Sequence, residues 1–530
     1  MKHLKILLCV LFIVAGILPS TAQRKMESLD RGVVAVKNAS GNYLISWRYL
    51  ATDPEDLTFN VYIRKKGETD FTKLNTDPLT VTNYQAGFQA IGNGTEIKVK
   101  TMVKGVEQDT DGSFTVSTAG FLNYRTAFLE ISYDPAADGL ALADYNTKFI
   151  WPVDLNGDGK YDYVVDRLST TGGTHKVQGY LSDGTLLWTI DMGPNVNIDQ
   201  GHNDMVIAYD MDCNGKGDVV IKSSDGTRFW DKANNTWGKY LLDAANGDTD
   251  GDGIIDYNKQ SVKNPPQYIT ILDGMTGAEK ATIEMKYPED KSNGHKYTRT
   301  NKGQYMGEDY NNLNGHMAIA YLDGIHPSIV MEYMCRTNSN SQWGQTHHYY
   351  ASAWGYKFVN GQATDWEDKY HWSRSDASAE NGVHYAEFHH IRAGDVNNDG
   401  MDEMLDGGFA LKSDGTPLFS AGIAHGDRFR VSDIDPERPG LETFAIQQNA
   451  SDMLGMIIYD AGTGESIKRW YMGAVGDVGR GECMDISAAT PGYEVFSTMG
   501  NIYDAKGNMV YEGNAPFPRE GVWWDGDLFR

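Results

Sequence analysis

Cysteine is scarce, with four in 530 residues. Cys9 lies in the opening apolar run, and Cys213, Cys335 and Cys483 form an odd, widely spaced set. Disulfides are therefore not the organising device, although one pair is left open. Basic charge is also short: 47 Lys+Arg stand against 72 Asp+Glu, a formal net charge of −25. That excludes nucleic acid as a partner, because phosphate binding needs a basic face. It also repels polyanions unless bound cations reverse the local sign. Past residue 22 no apolar run is long enough to span a bilayer. No phosphate loop, nucleophile elbow or CxxC metal pair is present.

The one long apolar stretch opens the chain. "MKHLKILLCVLFIVAGILPSTAQ" has a basic start, an apolar middle, and Ser20 and Ala22 three residues and one residue before a cut at Gln23. This is the pattern of a secretory signal peptide over residues 1–22. Leu8, where a small residue is wanted, weighs against a lipoprotein at Cys9. The mature protein is thus expected to be a secreted monomer (periplasmic, cell-surface or extracellular), with no membrane attachment after cleavage.

What is abundant is glycine and aromatic residues, arranged as short alternating strands. "GVVAVKN", "NYLISWRYL", "LTFNVYIRKKG" and "GTEIKVKTMV" are punctuated by "NASGN", "GETD" and "GNG". They predict an antiparallel sandwich of the fibronectin/Ig-like kind over residues 27–118.

A second pattern then repeats. "DLNGDGKYD" from Asp154, "DMDCNGKGD" from Asp210, "DTDGDGIID" from Asp248 and "DVNNDGMDE" from Asp395 share oxygen-bearing side chains at positions 1, 3, 5 and 9. "DIDPERPGLE" from Asp433 and "DISAATPGYE" from Asp485 keep the first aspartate and the returning glutamate. Strands precede and follow each loop, giving units of roughly four strands every 40 to 60 residues, the signature of a β-propeller. Counting starts at Asp154, Asp210, Leu322, Asp395, Asp433, Asp485 and Asp525 predicts seven to eight blades over residues 125–530, with Asp248 on an insertion. The fold class expected is all-β, a small sandwich followed by a propeller.

The spacing has a chemical reason. A hard cation takes six to eight oxygens, and alternate side chains on a curled loop converge on one point. Asp, Asn and Gly make turns without any metal, but four loops with an acid returning at position 9 favour calcium. The expected ligands are Asp154, Asn156, Asp158 and Asp162; Asp210, Asp212, Asn214 and Asp218; Asp248, Asp250, Asp252 and Asp256; and Asp395, Asn397, Asp399 and Glu403. Their expected role is structural.

Propellers bind ligands at the central channel, so residues just ahead of these loops are the candidates for function. His202 and Asp204, Tyr385 and His389, His425, Asp427 and Arg428, Arg480, and Trp523 and Trp524 stand there. Histidines, carboxylates, arginines and aromatics together suit an acidic sugar. Adjacent residues on a strand face opposite ways, so His389 and His390 cannot both face the channel. His390 is expected to be the structural one.

"LDRGVVAV", "SWRYLATDP", "FNVY", "DLNGDG", "YLDGIHPSIVM", "HGD", "DIDPERPGLE", "YDAGTG", "GDVGRG" and "WWDGDL" occur in this order. The chain resembles the family 11 polysaccharide lyases, the rhamnogalacturonan lyases. The resemblance implies a fibronectin-like domain, an eight-bladed calcium-bearing propeller, and β-elimination at a uronate of pectin's backbone. It implies a cation near the channel held at His389, His425 and Asp427, with Gln448 where an acid is expected. It implies first-blade substrate contacts close to Asn146, Lys148 and Asp166, with Lys148 and Leu168 at the family's own positions. It also implies a blade beyond "WWDGDL", so the propeller is expected to be incomplete at Arg530. An acidic plant-type polysaccharide is the expected partner. The alternatives are a calcium-stabilised binding or adhesion propeller without catalysis, and a hydrolase using paired carboxylates.

Overall fold

The structure, a computed structural model, describes residues 23–37, 40–54, 56–108, 112–116, 144–193, 196, 206–224, 226–231, 236–240, 267–285, 314–336, 347–375, 388–448, 453–472, 478–487, 489–513 and 515. Every regular element among them is a β-strand. No helix there is long and apolar enough to cross a membrane.

Two antiparallel sheets form the N-terminal unit. Val34–Lys37, Tyr43–Ser46 and Asn83–Ala86 make one; Thr58–Arg64 and Glu96–Val103 lead the other. Tyr43–Ser46 and Glu96–Val103 alternate buried with partly exposed residues, the period of a strand with one face on a core. That core gathers Tyr43, Ile45, Trp47, Phe59, Val61 and Ile97.

Among the described residues six further antiparallel sheets follow, each built on four strands in chain order, the first extended to seven by Tyr145–Asn146 and a hairpin. The first is Ile150–Val153, Asp162–Ser169, Lys176–Tyr180 and Leu186–Asp191. The second is Val206–Tyr209, Asp218–Ser224, Gln267–Asp273 and Glu279–Glu284. The third is Asn314–Ala320, Ser328–Arg336, His347–Val359 and Gln362–Ser375. The fourth is Arg392–Gly394, Glu403–Asp406, Phe409–Leu411 and Pro417–Ser420. The fifth is Phe429–Ser432, Glu442–Ile446, Leu454–Asp460 and Ser466–Tyr471. The sixth is Gly481–Met484, Glu494–Ser497, Ile502–Tyr503 and Met509–Tyr511. A hairpin, Arg228–Asp231 with Thr236–Tyr240, leaves the second sheet between its second and third strands. It pairs on the outer edge of the first, Ile190 opposite Phe229.

Strands in these sheets do not alternate. Asp218–Ser224, Glu403–Asp406 and Glu442–Ile446 are buried at every position, because both faces of each sheet are covered. Five apolar clusters lie between successive sheets. A single strand divides its side chains between two of them: Val219 and Ile221 pack toward the first sheet, Val220 toward the third.

The loops between first and second strands all lie at one end of the sheets, and the segments leading into the first strands lie at the other. Residues 23–32 run across the loop end as a strap. Arg24 pairs with Asp402 at 2.7 Å, and Lys25 N–H donates to the Ile325 carbonyl at 2.8 Å. Tyr321 donates to the Lys25 carbonyl at 3.1 Å and shares a 2.7 Å hydrogen bond with Tyr209. Asp30 N–H donates to the Gly159 carbonyl at 2.8 Å. Arg31 then pairs with Asp53 inside the N-terminal unit, and Arg48 lies over the Tyr161 ring at 4.4 Å. The strap thereby ties the small unit to the loops of the first four sheets.

Trp188 is 1% exposed, and its Nε1–H crosses from the first sheet to the Gly274 carbonyl beyond the second, at 2.7 Å. Trp188→Ala removes a large apolar volume and orphans that carbonyl. It should cost about 3–5 kcal/mol, read as a lower urea midpoint with an unchanged slope.

Candidate active site and cation loops

Three short segments, each leading into the first strand of its sheet, come together at the end opposite the strap. Residues 388–391 precede the fourth sheet, 424–428 the fifth and 478–480 the sixth. Phe388 bridges Gly426 in parallel, and Gln448 N–H donates to the His425 carbonyl at 2.8 Å. A Cβ on Gly426 would sit 1.9 Å from the Ile446 carbonyl oxygen, so only glycine fits between His425 and Asp427.

Asp427 is the hub. Its Oδ1 lies 3.3 Å from His389 Nε2 and 4.0 Å from His425 Nε2, and the two imidazoles stand edge to face at 4.9 Å. Its Oδ2 accepts from Arg480 Nη1 at 2.9 Å, and that nitrogen also donates to the Gly479 carbonyl at 2.6 Å. Burial works to raise the Asp427 pKa, but the His389 hydrogen bond and the charges of His389, His425 and Arg480 hold it below the usual carboxylate range. Arg428 is half-buried beside them; burial, then the like charge of Arg480, pull its pKa down. All five side chains are partly exposed, with Arg480 the most open at 42%. The site thus offers two imidazole nitrogens, a divided carboxylate and two guanidinium groups.

His390 is built differently. Its ring stacks on Phe429 at 4.5 Å, and its Nε2 faces the Phe429 carbonyl at 3.1 Å. Burial, then Arg392, push its pKa down to about 3, so it is neutral and packed.

In the first sheet, Asn146 and Lys148 are exposed near the same end, with Asn146 opposite Leu168. Asp166, an expected substrate contact, is fully buried here. Its Oδ1 accepts from the amides of Lys148 at 2.7 Å and Phe149 at 3.1 Å, so it shapes that segment from beneath. His202, Asp204, Tyr385, Trp523 and Trp524 lie outside the described residues. Three residues not singled out from sequence support the site. Arg430 pairs with Glu482 at 2.7 Å, locking the fifth sheet to the sixth, and buried Gln447 accepts from the Ala424 amide at 2.8 Å. The only hint was polar residues at buried phase in "RFRVSD" and "RGECMD".

At the other end, three acid loops share one geometry. Asp154 accepts from the amides of residues 157, 158 and 159, Asp210 from 214 and 215, and Asp395 from 399 and 400. The position-9 acid returns to the position-2 amide: Asp162 to Leu155 at 3.1 Å and Glu403 to Val396 at 3.1 Å. The longer loops at Asp433 and Asp485 carry the same brace, Glu442 to Ile434 and Glu494 to Ile486, each at 2.9 Å. Position 6 is glycine at φ 82°, 87° and 90° in Gly159, Gly215 and Gly400, where the left-handed backbone favours it. Burial, then neighbouring carboxylates, push Asp162 up to about 6 and Glu403 up to about 7, against the pull of their amide donors. Oxygen donors with uncompensated negative charge are what a hard cation fits. Asp248, Asp250, Asp252 and Asp256 lie outside the described residues.

Comparison with known proteins decides the family. Residues 127–530 match the C-terminal domain of rhamnogalacturonan lyase family 11, and residues 24–117 match the β-sheet domain of rhamnogalacturonan I lyases. The chain belongs to rhamnogalacturonan lyase family 11. It is 31% identical to the rhamnogalacturonan endolyase YesW of Bacillus subtilis (strain 168), covering 96% of this chain and 75% of that protein. It is 30% identical to the exolyase YesX of the same organism, covering 96% and 77%. The solved rhamnogalacturonan lyase PL11 of Bacillus licheniformis superposes with a TM-score of 0.71 at 30% identity, over 96% of this chain and 79% of that one. Against this family 11 background, the loop brace is testable by itself. Asp154→Ala strands three amides and should lower stability by about 1–3 kcal/mol even in chelator, read from urea unfolding in EDTA.

Proposed function

We propose that this chain is an exported polysaccharide lyase that cuts rhamnogalacturonan by β-elimination at galacturonate. The carrying observation is the convergence of His389, His425 and Asp427 beside Arg480 in a member of this family. Relatives named as endolyase and exolyase support the substrate class.

Elimination breaks the C5–H and C4–O bonds of the uronate and forms a C4=C5 double bond, leaving an unsaturated sugar. The negative charge that grows on the carboxylate side must be met by a positive group. Arg480 uses Nη1 on Asp427 and Gly479, and among the described residues its other N–H groups have no partner, so they form a fork for a carboxylate. Arg428 adds charge from the same side. Asp427 fixes Arg480 through Oδ2 and holds His389 in place through Oδ1. His389, His425 and Asp427 also fit a cation, since their donor atoms lie within 4.8 Å of one another; when bound, it would supply Lewis-acid neutralisation of the uronate carboxylate. On an acidic protein, this local positive charge is what admits an acidic polymer.

Three further readings belong to the same proposal. Six sheets in succession, sharing cores pairwise, support a β-propeller, and the two-sheet N-terminal unit supports a fibronectin/Ig-like sandwich. The loops of Asp154 and Asp395 bind calcium that stiffens the scaffold. The leader over residues 1–22 is removed, and the strap then begins at the new N-terminus.

His389→Ala, His425→Ala, Asp427→Ala and Arg480→Ala should each lower kcat by roughly 10²–10⁴ with little change in Tm. The readout is ultraviolet absorbance of the unsaturated uronate on rhamnogalacturonan. New reducing ends without that absorbance would indicate a hydrolase, and retained binding without either product a binding propeller. His390→Phe, which keeps the stack on Phe429, should leave activity within a few-fold of wild type.

A further inference from the structure

We propose that the second acid loop is kept free of calcium by an internal cation, the ammonium group of Lys280. The inference rests on the calcium reading of the sister loops. Lys280 Nζ lies 2.7 Å from Asp212 Oδ2 and 2.6 Å from Asp218 Oδ1. With Asp210, these carboxylates converge within 4.8 Å. Asp210 is already engaged by the amides of Asn214 and Gly215. Asp218 is 2% exposed, and Lys280 pairs its Oδ1, while its Oδ2 has no partner among the described residues. A divalent ion bound to the same two oxygens would stand within about 3–4 Å of the ammonium, and like charges at that distance repel strongly.

The position of Lys280 in its strand explains how it gets there. In the second sheet Ile271 faces Ala281 and Leu272 faces Glu279, so Lys280 is the extra residue of a β-bulge. A bulge re-aims its side chain, here across the sheet end to the loop, with the Tyr356 ring 6.0 Å from Nζ. The same irregularity recurs in the last strand of the other sheets, and its occupant changes. In the first and fourth sheets, which carry the Asp154 and Asp395 loops, the bulged residues are Leu187 and Leu418. They bring no charge to the loop. In the third sheet the bulged residue is Lys369, but that loop has a single acid, Asp323, held by the Ile325 and His326 amides, and Lys369 turns to the Tyr356 carbonyl at 2.9 Å and Glu367 at 3.1 Å. Among the described residues, only the second sheet combines a bulge lysine with a complete acid loop. Leucine at the bulge leaves the acids to a metal; lysine fills the place from within.

The test uses the full chain and calcium itself. Lys280→Leu gives the second sheet the residue found at the bulge of its sisters. Calcium bound per chain, counted by equilibrium dialysis, should rise by one equivalent over wild type. The variant should also lose more thermal stability in EDTA than wild type does. Lys280→Gln provides a milder exchange should the leucine variant misfold. A folded variant with no added equivalent overturns the proposal. So does lanthanide density within bonding distance of Asp212 and Asp218 in wild-type crystals. Asp158→Asn, which should lose one equivalent, reports separately on calcium in the first loop, so failure of that reading is distinguishable from failure of the lysine assignment.

Discussion

A four-stranded sheet with apolar side chains on both faces cannot be stable alone, and most of this chain is a succession of such sheets. Stacking is the only way to keep both faces from water. The consequence is visible strand by strand: Val219 and Val220 are sequence neighbours that belong to different cores. Each of the four inner sheets is a shared wall, and strain in one is passed to two others. This frees the strand ends from structural duty. Side chains there can carry charge and chemistry without being needed for the core.

The two ends use that freedom in opposite ways. At one end carboxylates dominate and are quieted by backbone amides, by Lys280, by Arg24 on Asp402 and, on our reading, by calcium. At the other end positive groups gather on one carboxylate, Asp427, which joins residues leading into three sheets. On the function proposed, an acidic protein thus presents a locally cationic site to an acidic polymer. Arg430 and Glu482, a pair across two first strands, hold that assembly from below.

The all-β character and the loops were legible because their causes are local. Alternation marks a strand with one wet face, and D-x-N-x-D-G marks a loop whatever surrounds it. The histidine preference was legible for the same reason, since two neighbours on a strand must diverge, and His390 does pack on Phe429. What was hidden depends on distant parts of the chain. Asp166, placed near a substrate contact by the resemblance, is buried, and its carboxylate accepts from two amides of the preceding segment. Lys280 in "GAEKATIEM" reads as an ordinary surface lysine until the bulge opposite Ile271 and Leu272 is known. The hairpin Arg228–Tyr240 reads as part of the second unit, yet it completes the edge of the first. Arg480 meets Asp427 across 53 residues, a distance no motif spans.

The strap has a consequence for how the chain folds. Residues 23–32 are made before all the sheets, yet Arg24 must wait for Asp402, 378 positions later. Contacts of such separation form late, after the intervening loops have closed. The earliest described segment of the chain is therefore among the last to lock. Until then the first four sheets can form and correct their pairings without being held together at the loop end. Once Arg24, Lys25 and Asp30 find their partners, those sheets can no longer open independently, and the strap acts as a latch whose main effect is on the rate of unfolding.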